Sequence, residues 1–134
     1  MNKILVATML SAMLSLVGCS KKDSGNPLTP NTPPPPAANV TFTMGLQSGS
    51  QGMIIVATPS VDVKLTKIEL SFPAQQFSDV VNNPQPDRVF PKGTNFQINE
   101  YTGIDGGQQW VLKFTGTEVA TGKPFTVTVN WTVV

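Results

Sequence analysis

Large apolar residues alternate with polar ones through much of the chain beyond residue 39. Val40, Phe42 and Met44 are separated by Thr41 and Thr43, and Ile68, Leu70 and Phe72 by Glu69 and Ser71. Trp110, Leu112 and Phe114 are interleaved with Val111 and Lys113. The longest run is at the C-terminus, where Phe125, Val127, Val129, Trp131 and Val133 alternate with Thr126, Thr128, Asn130 and Thr132. A period of two puts each apolar set on one face of an extended strand, which predicts half-buried β-strands. Residues 53–58 (MIIVAT) run without a polar break, as suits a central strand. Phe96 and Ile98 mark another short strand.

Turn residues separate these runs. Residues 49–52 (GSQG) divide the first two strands, and Pro59-Ser60 ends the second. Asp105-Gly106-Gly107 predicts a hairpin before the Trp110 strand, and residues 121–124 (TGKP) precede the last one. Residues 73–92 hold four prolines and predict an irregular loop or crossover. Their best helix-compatible window is 74–81, about two turns at most. The sum is an all-β domain over 39–134, a single antiparallel β-sandwich of about seven strands.

The last two strands, Trp110-x-Leu-x-Phe114-x-Gly116 and Gly122-x-Pro-Phe125-x-Val-x-Val129, resemble those closing immunoglobulin-like bacterial domains. The resemblance covers about 25 residues of generic strand pattern and implies an immunoglobulin-like sandwich. The chain departs from antibody-type domains in having no cysteine pair. It also lacks tyrosine-corner spacing, since Tyr101 stands nine residues before Trp110.

The hydrophobic pattern at the start of the chain is different. After Lys3, residues 4–17 (ILVATMLSAMLSLV) are 14 uncharged residues with no polar stripe. That is short of the ~20 a membrane span needs and fits the apolar part of a secretory signal peptide. Leu16-Val17-Gly18-Cys19 follows and resembles, at all four positions, the lipobox of bacterial lipoproteins. The resemblance implies that a signal peptide, 1–18, is removed and that Cys19 becomes the first residue, carrying lipid on its thiol. Palmitate-type acyl chains then anchor the protein in the bacterial cell envelope. Ser20 stands where an aspartate would favour inner-membrane retention, so the family pattern implies the outer membrane, on its periplasmic or surface face. Residues 19–38 complete the tether. Six of the chain's 12 prolines lie there, which predicts a disordered, extended linker of up to ~60 Å.

Composition then narrows the chemistry. The chain has one cysteine and no histidine. A disulfide framework, a Cys/His zinc site and any catalytic arrangement with a histidine base are excluded, and no metal or cofactor is expected. Residues 39–134 carry six basic and seven acidic side chains, a net of 6 − 7 = −1, so no basic field attracts nucleic acid. The carboxylates Asp62, Glu69, Asp79, Asp87, Glu100, Asp105 and Glu118 form no paired motif. Residues 103–107 (GIDGG) lack the Lys-Ser/Thr of a phosphate loop. Asn39-Val-Thr41 and Asn130-Trp-Thr132 match the glycosylation pattern, but a lipobox implies a bacterium. Trp110 and Trp131 sit on apolar strand faces and belong to the core. Phe77, Phe90 and Tyr101 fall in or beside loops, with Arg88 close in sequence, and these four are the candidate ligand-binding residues. The expected function is a non-enzymatic binding or accessory module, held at the membrane by lipid on Cys19 and contacting an envelope protein or glycan. The alternatives are a structural subunit of an envelope assembly, held by strand addition or sheet packing, and a small glycan hydrolase using two carboxylates.

Overall fold

A computed structural model of the protein describes residues 39–134. The signal peptide, the lipobox Leu16–Cys19 and the proline-rich linker expected over 1–38 lie outside the described residues. Eight strands form: β1 (Phe42–Ser48), β2 (Met53–Pro59), β3 (Val63–Phe72), β4 (Phe77–Asn82), β5 (Val89–Phe90), β6 (Phe96–Tyr101), β7 (Gln109–Glu118) and β8 (Pro124–Thr132). They build two antiparallel sheets, one ordered β1-β2-β6 and the other β4-β3-β7-β8, with β5 pairing the far end of β3. This is a β-sandwich, three strands in one sheet and four plus the short β5 in the other. Among the described residues no helix is long and apolar enough to cross a membrane.

The alternation selects the core. Ile55, Val63, Leu65, Leu70, Leu112 and Phe114 are almost fully buried. Phe42 of β1 stacks on Phe114 of β7 with ring centroids 4.0 Å apart, and lies 6.1 Å from Phe125 of β8, so aromatic contacts join the sheets. Trp110 is buried as expected and stacks on Phe72 at 5.2 Å. Trp131, Val127 and Val129 are only partly buried, because β8 is the last strand of its sheet and lacks a neighbour on one side.

Two expectations need correction. Residues 73–92 are not an irregular loop. A single 3-10 turn, Pro73–Gln75, is halted by Gln76 at φ 53, and β4 and β5 follow. Phe77, Val80 and Val81 imitate helical spacing, yet β4 pairs along β3 from Phe72↔Phe77 to Lys67↔Asn82 and leaves Val80 half exposed. The prolines at 84, 86 and 91 fall between or after the short strands, where no ladder N–H is needed. The second correction concerns Asp105-Gly106-Gly107. The turn forms, with Gly107 at φ 86 and Gln108 N–H on the Asp105 carbonyl. It is not a hairpin, however, because β6 and β7 belong to different sheets and the turn carries the chain across the sandwich. The expected turn at 49–52 does join β1 to β2, and that at 121–124 joins β7 to β8.

Candidate functional site

The four candidate residues separate into two pairs. Phe77 pairs with Phe72 at one end of β3, and Phe90 with Val63 at the other. Nine residues of strand at ~3.3 Å each put them ~30 Å apart, so the four do not form one contact surface.

At the first end Phe77, Tyr101 and Trp110 pack mutually, with ring centroids 5.7–5.8 Å apart. The Tyr101 hydroxyl donates to Asp79 Oδ2 at 2.7 Å. Asp79 lies on β4 and Tyr101 on β6, the facing edge strands of the two sheets, so this bond closes that side of the sandwich. Desolvation, reinforced by the Asp79 carboxylate, pushes the Tyr101 hydroxyl well above its ordinary value. These aromatics anchor structure.

At the second end the same side of the sandwich stays open. A cleft of about 340 Å³ lies between β6 and the segment that leaves β4. Leu65, Ile68, Val81, Phe96 and Ile98 form its apolar floor, and Asn83, Gln85, Arg88 and Gln97 its polar rim. The Arg88 guanidinium sits 5.1 Å from the centroid of Phe90, whose ring packs on Phe96 at 4.6 Å. A second, more polar hollow shares Arg88, Phe90 and Gln97 and reaches Gln47 and Asn95. Arg88 thus stands on the wall between two recesses. Among the described residues it forms no ion pair, whereas Lys64 approaches Asp87, and both Lys67 and Lys113 approach Glu69. A guanidinium is weakly hydrated and presents a planar fork that fits a carboxylate, so an exposed arginine beside an apolar floor suits an anionic group on an apolar body.

Asn83 positions this arginine. Its side-chain amide donates to the Leu65 carbonyl at 2.7 Å and to the Gln85 carbonyl at 2.8 Å, while its oxygen accepts from Gln85 N–H. Arg88 N–H in turn bonds the Gln85 carbonyl at 2.9 Å. With Pro84 and Pro86 fixing φ, the turn is held before any ligand arrives. Asn83 is not among the candidates that the sequence pattern singles out. Its signal was the Asn-Pro step, which favours turn initiation.

All the carboxylates of the domain but Asp105 have partners away from the recesses. Asp62 accepts from Lys92 N–H at 2.7 Å, Glu118 from the Thr121 hydroxyl at 2.8 Å, and Glu100 from Gln51 and Gly52 N–H at 2.5 and 2.7 Å. No aspartate or glutamate lines either recess beside Arg88. Among the described residues no three acidic or cysteine side chains gather as metal ligands. Comparison with protein families, curated proteins and solved structures returned no match for this chain.

Proposed function

We propose that this protein is a lipid-anchored lipoprotein of the bacterial cell envelope whose sandwich is a non-enzymatic binding module. Its ligand is an extended segment of an envelope protein, seated on the cleft floor with a carboxylate against Arg88. The cleft carries this reading: an apolar floor, a guanidinium without an ion pair, and a turn fixed by Asn83. The lipobox resemblance at Leu16–Cys19 supports the anchor. A glycan platform is less well served, because Phe77, Phe90 and Tyr101 each spend ring contacts on other side chains.

The test is photo-crosslinking in intact cells from a probe at Gln97, on the cleft rim. The expected result is one crosslinked envelope protein, lost in Arg88→Glu and weakened in Arg88→Ala. A product that survives Arg88→Glu, or that carries glycan in place of protein, refutes the cleft assignment. The anchor is tested separately. Cys19→Ala should accumulate as uncut precursor that incorporates no labelled palmitate, and processing to the normal size would refute the lipoprotein reading.

A further inference from the structure

The larger sheet ends at β8. Val133 donates to the Gln108 carbonyl at 2.9 Å and accepts from Gly107 N–H at 2.8 Å. The β7–β8 register then runs unshifted from Gln109↔Thr132 to Thr117↔Pro124. Backbone groups alternate sides along an antiparallel strand, so the odd-numbered residues bond to β7. Thr126, Thr128, Asn130 and Thr132 direct their N–H and C=O groups outward. Among the described residues no strand pairs there.

Natural sheets blunt such edges with charge, interior proline or a bulge. Two of the other edge strands carry a device of this kind, Asp79 on β4 and Glu100 with a register shift on β6, while β1, 7 residues long against the 9 of β8, carries none. β8 has none. Its proline, Pro124, is its first residue, and no charge occurs from 124 to 134.

We propose that β8 pairs with β8 of a second copy of this chain, antiparallel about a two-fold axis at Val129, joining the two larger sheets edge to edge. The strand is complementary to itself in this register. The axis sets Thr126 opposite Thr132 and Thr128 opposite Asn130, which uses all four outward residues. Polar pairs of this kind suit cross-strand positions, and no like charges meet because the strand has none. On the inner face Val129 meets its own copy and Val127 meets Trp131, covering side chains that are only partly buried in one chain. The chain's own proline-rich segment is a poor occupant, since Pro27, Pro30 and residues 33–36 have no N–H to donate.

The tether agrees with this pairing. Phe42 lies against Phe125, so the chain enters β1 beside the start of β8. Antiparallel pairing separates the two entry points by about one strand, ~30 Å. On the proposed lipid anchor, on which this point rests, the 19 residues expected to form the linker would be long enough, at up to ~60 Å, for both copies to be held at one membrane. A strand-to-strand contact is small beside the ~1,200–2,000 Å² of a stable interface, so holding both copies on one surface favours it through effective concentration.

The test uses the full-length protein. Sedimentation in detergent should show a concentration-dependent dimer. The double variant Thr128→Lys/Asn130→Lys sets lysine against lysine twice across the axis, on the solvent face, and should be monomeric, with the Tm that the wild type shows at dilutions where it too is monomeric. In intact cells Thr128→Cys/Asn130→Cys should give a disulfide-linked dimer, which neither single variant gives, because paired positions fall within disulfide reach. A protein that is monomeric in both assays overturns the proposal. So does a dimer that survives the lysine variant, or a disulfide formed to a different protein. None of these readouts depends on the Arg88 cleft.

Discussion

Tyr101 is the chain's one tyrosine, and it holds the sandwich shut at one end by donating to Asp79. Tyr101→Phe keeps the ring contacts and leaves Asp79 Oδ2 without its donor, while Oδ1 keeps the Val80 N–H. The expected cost is ~1–3 kcal/mol, read from chemical denaturation. The hydroxyl also makes a clean optical prediction. Its folded-state pKa is raised, so the associated stability is fully present below the unfolded value of ~10 and is lost as pH climbs towards the folded one. Phenolate absorbance should therefore lag behind that of a model tyrosine and appear with alkaline unfolding. A phenol that titrates normally in the folded protein refutes the assignment. Gly116 is a second residue with a sharp expectation. It sits opposite Leu65, where a Cβ would collide with the Lys64 carbonyl. That obstacle is backbone and cannot swing aside, so Gly116→Ala should cost ~1–3 kcal/mol or more in a thermal or denaturant melt.

At the scale of elements, the β1–β2 turn depends on a strand outside the hairpin. Glu100 of β6 accepts from Gln51 and Gly52 N–H, and from the Ser50 hydroxyl at 3.3 Å. The Gln51 bond leads in holding the Glu100 carboxyl below its usual range, against some desolvation that raises it. A depressed folded pKa means support that is present above the unfolded value of ~4.3 and lost as pH falls through the lower folded one. Hydrogen exchange at Gln51 and Gly52 should therefore quicken at acid pH, relative to the acid dependence of an unstructured peptide. Glu100→Ala should produce the same opening at neutral pH. Unchanged protection in the variant refutes the role. This tie was not legible in the sequence, because 49 residues separate Gln51 from Glu100 and no local pattern links them. The strands themselves were legible wherever one face is buried: β3, β7 and β8 follow their alternation closely. Reading failed at β4, an edge strand whose Val80 faces solvent, so that its pattern blurred into helical spacing. Arg88 and Phe90, close in sequence, are also close in the fold, with the guanidinium 5.1 Å from the ring centroid. Their separation from Phe77 and Tyr101 followed from the full length of β3, which a linear reading does not measure.

The whole molecule must hold two sheets together without a disulfide, since its single cysteine lies at position 19. Where antibody domains cross-link their sheets, this core stacks Phe42 on Phe114 with planes 11° apart. Phe114 is fully buried and central on β7, with Ile68 and Val127 as its cross-strand partners. Removing its ring deletes the contact between sheets and leaves a cavity that rigid neighbours cannot collapse into. Phe114→Ala should cost ~3–5 kcal/mol. A domain of this size holds only ~5–15 kcal/mol in total, so the variant should be substantially unfolded near physiological temperature. Phe114→Leu, which refills most of the volume, should stay folded with a lowered Tm. Circular dichroism melts of the two variants beside the wild type decide the matter. If Phe114→Ala melted within a few degrees of wild type, the aromatic stack would not be the bridge that stands in for a disulfide. The burden would then fall on the aliphatic layer of Ile55, Leu65 and Leu112.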